Sequence, residues 1–141
     1  MTTPAAVHCR AQVAIEIPFF DIDAVNVVWH GHYARYFELA RCALLDQFDY
    51  GYDAMRASGY LWPIIDLQVR YIKPLLFRQR VIVEATLKEW EYRLKIDYVI
   101  RDEKTGARMT RGFTTQVAVD MKTGELCLMS PTVLFERLGL K

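Results

Sequence analysis

This chain of 141 residues has little with which to cross-link itself, to display charge of one sign, or to cross a bilayer. Its three cysteines, Cys9, Cys42 and Cys127, are odd in number and widely spaced. They fit reduced thiols in a cytoplasmic protein better than a disulfide framework or a zinc site. Lysine and arginine number 18 against 17 aspartates and glutamates. That near-balance leaves no positive surplus for nucleic acid or an anionic membrane. No apolar run approaches the roughly 18 residues of a spanning helix. Met1 to Ala6 lacks a basic stretch followed by an apolar one, so no signal peptide is read. No internal repeat and no linker divides the chain. What is present is an apolar majority, 52% hydrophobic with 13% aromatics, which excludes disorder. The length suits one domain over residues 1–141, with its core at about 10–120 and a short loose tail at 1–8.

Periodicity then supplies the elements. From Arg10 to Ile17, Ala11, Val13, Ile15 and Ile17 alternate with polar residues, which predicts a half-buried strand closed by Pro18. Tyr33, Tyr36, Phe37, Ala40, Leu44 and Phe48 recur at three- and four-residue steps, predicting a long amphipathic helix from about His32 to Phe48. Asp49-Tyr50-Gly51 stops it, and a short helix follows at Tyr52 to Ala57. Alternation returns three times: Leu67, Val69 and Tyr71; Val81, Val83, Ala85 and Leu87; Leu94, Ile96, Tyr98 and Ile100. A further strand is expected from Arg111 to Asp120, with Phe113, Thr115, Val117 and Val119 on one face. Turns are read at 102–106 and 120–124, and a last short helix at Pro131 to Leu138. A strand, a long helix, and strands joined by tight turns imply an α+β fold: an antiparallel sheet wrapped around one central helix.

The titratable groups gather where the first strand gives way to the helix. Asp21, Asp23, Trp29, His30 and His32 fall within one connection. A helix start offers free N–H groups and a partial positive charge, so a carboxylate just upstream pairs a base or nucleophile with a site for an oxyanion. A cap or turn aspartate is the competing reading for Asp23. Asp21 either satisfies loop N–H groups or raises the pKa of Asp23 by like-charge proximity. His30 acts through its side chain or only through its backbone N–H. Metal binding by the four groups is disfavoured, because a His-x-His pair suits a strand and these histidines enter a helix.

The pattern Asp21-x-Asp23-x-x-x-x-Val28-Trp29-His30-x-x-Tyr33 resembles the hotdog-fold acyl-CoA thioesterases, and within them the 4-hydroxybenzoyl-CoA and Tol-Pal-associated group. Pro63-Ile64-Ile65, Val69-Arg70-Tyr71 and Lys88-Glu89-Trp90 are softer matches. The resemblance implies hydrolysis of an acyl-CoA, or of an acyl-carrier-protein thioester, to free acid and thiol. It implies Asp23 as the catalytic carboxylate, the N–H at His30 as oxyanion donor, and Trp29 in the acyl pocket. Tyr33, Trp62, Ile64 and Arg93 complete the expected substrate contacts. Tyr33 and Trp62 also suit a core, and Arg70, Arg80, Arg93 and Lys95 suit either a CoA phosphate groove or a solvated sheet face. No cofactor is implied, because CoA is part of the substrate. Members pair protomers at a strand edge, which implies a homodimer assembling to a homotetramer. The chain departs from the family's D-P-A-G or D-A-G-G stretch, reading Asp23-Ala24-Val25-Asn26. Two other classes stay open: a hotdog acyl-carrier-protein dehydratase or hydratase, and a non-catalytic acyl-binding scaffold.

Overall fold

A computed structural model describes residues 9–140; the expected tail at 1–8 lies outside the described residues. Strands β1 (Arg10–Glu16), β3 (Ile64–Tyr71), β4 (Arg80–Glu89), β5 (Leu94–Asp102) and β6 (Arg108–Gln116) form one antiparallel sheet in the order β1-β4-β5-β6-β3. A second, two-stranded sheet pairs β2 (Tyr60–Leu61) with β7 (Val119–Asp120). The helices are α1 (Tyr33–Asp46), α2 (Tyr52–Ala57) and α3 (Thr132–Arg137). The expected α+β hotdog architecture, a sheet curled around one long helix, is therefore present. The long strand expected to run to Asp120 instead ends at Gln116, and the chain crosses to β2.

The apolar stripe of α1 sets the packing. Tyr36, Phe37, Ala40, Leu44 and Leu45 are buried against Val81, Val83, Ala85 and Leu87 of β4 and Leu94, Ile96, Tyr98 and Ile100 of β5. Each such large side chain contributes about 1.5–3 kcal/mol on burial. The Phe37 and Tyr98 rings stack at 4.4 Å.

The inner face of β6 differs from the sequence expectation. Thr110, Thr114 and Gln116 are buried, while Phe113 is on the outer side with Lys95 over its ring. Buried polar groups need partners. The Tyr98 hydroxyl bonds Thr114 Oγ1 at 2.7 Å, and Gln116 Nε2 donates to Trp62 O at 2.8 Å. Arg41 of α1, also buried, donates to the Tyr52 hydroxyl at 2.9 Å, to the Tyr98 hydroxyl at 3.4 Å, and to Glu38 at 3.2 Å. Hydrogen bonding thus replaces apolar contact along this part of the core. The turns follow their residues: Asp102 Oδ1 accepts N–H groups of Lys104 and Thr105 at 2.9 Å, and Gly106 takes φ +73°.

β3 forms one edge of the sheet. Its apolar residues Ile64, Ile65, Leu67 and Tyr71 are exposed rather than half-buried, because α1 lies mainly over β1 and β4. An exposed, apolar edge of eight residues is a surface that proteins usually cover.

Candidate active site

The connection from β1 to α1 is a small hairpin. Ile22 and Val28 bridge, Asp23 N–H donates to Val27 O at 2.9 Å, and Trp29 N–H donates to Asp21 O at 3.0 Å. Ala24, Val25 and Asn26 form its loop, with Asn26 at φ +66°. A three-residue hairpin loop needs a left-handed third residue, and asparagine tolerates that conformation. Asn26 therefore fills the place that glycine takes in the family stretch. Val28 N–H donates to Leu75 O at 2.9 Å, which ties the hairpin to the segment after β3.

Asp23 is half-buried. Its Oδ1 accepts the Val25 N–H at 2.9 Å, while Oδ2 takes no hydrogen bond among the described residues. The turn role of Asp23 is thus real but occupies one oxygen, and the residue does not cap α1, whose N-cap is His32. The second oxygen is available for chemistry.

His30 opens a 3-10 turn, His30–His32, that runs directly into α1. The first N–H groups of such a helix have no acceptor within it. The His30 side chain is exposed; its carbonyl accepts the Tyr71 hydroxyl at 2.8 Å. Trp29 is 47% exposed, with its ring 5.1 Å from that of His30 and 5.3 Å from that of His32. Gly31 makes room for the indole, because a Cβ there would lie 2.2 Å from the ring.

Asp21 anchors the site. It is 1% exposed and accepts hydrogen bonds from Arg35 and, at 2.5 Å, from the Tyr36 hydroxyl, both on α1. Its Oδ1 faces His32 Nε2 at 3.9 Å. Burial alone would raise the Asp21 pKa; the hydrogen bonds from Arg35 and Tyr36, with the charge of Arg35, outweigh it and hold the carboxyl below its ordinary range. Burial and the bond to Asp21 push the Tyr36 phenol up. Asp21 is therefore the structural member of the pair, a charged post between loop and helix.

A carboxyl with a lowered folded pKa stabilises fully above its unfolded value, near 3.9, and loses that contribution as pH falls through the folded value. The Asp21→Asn protein should be less stable than wild type near neutrality and lose less on acidification below about pH 4. Urea midpoints at about pH 6 and about pH 3 check this, and equal losses for both proteins would refute it.

The other expected contacts lie elsewhere. Tyr33 is 2% exposed and packed edge-on against Tyr36 and Tyr71, in keeping with its core reading. Trp62 is buried, and its indole N–H donates to the Tyr50 hydroxyl at 3.2 Å. Ile64 is exposed at the start of β3, in register with Gln116. Arg93 is exposed and paired with Glu89 at 3.1 Å. It borders a cleft of about 490 Å³ shared with Ile65, Trp90, Tyr92 and Leu128. Within one chain this second group is separated from Asp23 by the length of β4, about 30 Å at 3.3 Å per residue. Tyr71 was missed as a site residue; its alternation gave a strand face but no sign of its bond to His30.

Comparison with known proteins fits this geometry. The chain is 28% identical over 76 residues to the "Putative acyl-CoA thioesterase YneP" of Bacillus subtilis, a match covering 54% of this chain and 55% of that protein. It therefore spans little more than half the length of that relative. It is 26% identical over 128 residues to the "Putative esterase sll0410" of Synechocystis, covering 90% of this chain and 77% of that one. Among solved structures, the DHNA-CoA thioesterase of Staphylococcus aureus superposes with a TM-score of 0.77 at 28% identity, covering 84% of this chain and 80% of that one. The family model described as the Thioesterase-like superfamily matches residues 17–135, from the end of β1 into α3, and the chain belongs to that superfamily.

Proposed function

We propose that the protein is a thioester hydrolase that cleaves acyl-CoA to a carboxylic acid and CoA. The observation that carries this is Asp23, with one carboxylate oxygen unengaged in the hairpin that leads into α1, in a chain of this superfamily. The N–H groups at His30 and Gly31 receive the oxygen of the polarised carbonyl. Asp23 either takes a proton from water, whose hydroxide adds to the carbonyl carbon, or adds to that carbon itself. In both routes the C–S bond breaks and the thiolate leaves to take up a proton. The second route leaves a mixed anhydride that water then hydrolyses. No cofactor enters this scheme. The exposed Trp29 and the likeness to a DHNA-CoA thioesterase support a bulky or aromatic acyl group.

The working unit is a homodimer that assembles further to a homotetramer. A two-fold pairing of β3 edges sets Ile64 of one strand against Tyr71 of the other, since antiparallel partners exchange ends. That places Ile64, Arg93 and the cleft beside Trp90 next to the His30 and Asp23 of the neighbouring protomer. Residues far apart in one chain thus complete one site. The three widely spaced cysteines, which fit reduced thiols, support a cytoplasmic setting.

Thiol release over a panel of aromatic, short-chain and long-chain acyl-CoA esters tests the activity, and its best substrate sets the acyl class. Release from none of them would refute hydrolysis of CoA esters. Light scattering coupled to gel filtration should give the mass of at least two chains, and a monomer that is fully active would refute the shared site.

A further inference from the structure

The convex face of the sheet, turned away from α1, carries a cluster that the proposed hydrolysis does not use. Arg70, Lys95, Arg108, Arg111 and Phe113 line a concavity of about 400 Å³, with Asp97. Arg70 on β3 and Arg111 on β6 are direct register partners. Side chains so placed stand roughly 4.5–5.5 Å apart at Cβ, and like charges there destabilise a sheet. Two exposed arginines have carboxylate partners: Arg80 pairs with Glu16 and Glu103, and Arg93 with Glu89. Among the described residues no ion pair reaches Arg70, Arg108 or Arg111. Asp97 is in register with Phe113, not with an arginine. The Lys95 ammonium lies 4.8 Å from the Phe113 ring centre, beside a flat apolar surface.

We propose that this concavity binds a phosphate-bearing anion. Arg70 and Arg111 present forked donors to one phosphate group, since guanidinium matches phosphate geometry in a bidentate manner. Arg108 and Lys95 add positive charge, and Phe113 gives a stacking surface to any base attached. The bound anion supplies the negative charge that the Arg70–Arg111 pair lacks. Alternation along β3 puts Arg70 on the face opposite Tyr71, whose hydroxyl holds His30, so the site is separate from that of Asp23 and does not depend on it.

The test is thermal unfolding of the full chain at low ionic strength. Inorganic pyrophosphate and adenosine 3′,5′-bisphosphate are compared, with sodium chloride at matched ionic strength. Both phosphates should raise the midpoint saturably, by about 5–10 °C at a hundredfold excess over Kd, and chloride should not. Equal apparent affinity for the two identifies a simple phosphate site; tighter binding of the nucleotide identifies a base on Phe113. Arg111→Gln should melt higher than wild type without anion, because the repulsion is gone, and should lose the pyrophosphate response. Arg111→Lys keeps the repulsion and loses the fork, so its response should shrink without any gain in basal stability. The proposal fails if no phosphate shifts the midpoint, or if Arg111→Gln retains the shift. It also fails if Arg111→Gln lowers the midpoint and splits the assembly, which would make this face a contact between copies of the chain.

Discussion

Asp23→Asn is expected to lower thiol release about 10²–10⁴-fold, the range that a positioned acid–base group contributes. The substitution suits this site because of what Asp23 does in the loop. Oδ1 accepts the Val25 N–H, and an asparagine carbonyl oxygen accepts the same bond. The hairpin should keep its shape, and stability should stay within about 0.5 kcal/mol of wild type. Acyl-CoA binding should persist, which separates an enzyme from a scaffold that merely holds the ligand. An acyl-enzyme trapped by hydroxylamine in wild type and lost in the variant would assign Asp23 as nucleophile. Its absence from both, with the same loss of rate, would assign it as base. Undiminished release by the variant would remove Asp23 from the chemistry.

Gly112→Ala is expected to be the most damaging single-methyl change in the sheet. A Cβ at 112 would stand 2.1 Å from the backbone oxygen of Gln68 and 2.8 Å from the Phe37 ring. Phe37 cannot give way easily, being stacked on Tyr98 at 4.4 Å under α1. Overpacking usually costs about 1–3 kcal/mol, and displacing a strand backbone costs more. Against a total of about 5–15 kcal/mol, this should bring the urea midpoint down by a large fraction. The damage would extend to the site: β3 ends in Tyr71, which holds the carbonyl of His30. An unchanged midpoint would mean that β3 and β6 do not approach each other as closely as this at Val69 and Gly112.

Legibility in the sequence followed the strength of the apolar period. Tyr33, Tyr36, Phe37, Ala40 and Leu44 marked α1 because that helix buries a single continuous stripe. Val81 to Leu87 and Leu94 to Ile100 marked the two central strands for the same reason. β6 was misread because its inner face carries Thr110, Gly112, Thr114 and Gln116. Its fit rests on hydrogen bonds to Tyr98 and Trp62 O and on a missing side chain, none of which leaves a periodic apolar trace. β3 had the right alternation, but burial depends on what lies over a strand, and α1 lies mainly over β1 and β4 and meets this edge only sparingly, with Tyr33 against Tyr71. In the site, Asp23 and His30 came from motif and position. Tyr33 and Trp62 suited either a core or a substrate contact, and both turned inward. The resemblance singled out Asp23 and left Asp21 a structural reading, but the partners that hold Asp21 could not be read from two carboxylates spaced by one residue. Asp21 is held by Arg35 and Tyr36 of α1, 14 and 15 residues downstream.

The ladder between β1 and β4 has a consequence for how the chain is made. Glu16 pairs with Arg80 and Arg10 with Thr86, so the first strand waits for partners more than sixty residues downstream. At about 5–20 residues per second, synthesis leaves β1 and α1 outside the ribosome for several seconds before their cover exists. Throughout that interval the Tyr36-Phe37-Ala40-Leu44 stripe faces solvent or whatever chaperone holds it. Closure of so long a loop is also slow in its own right, in the millisecond-to-second range of non-local β topologies. Truncations that stop before β4 should therefore give aggregating fragments, not a smaller folded domain.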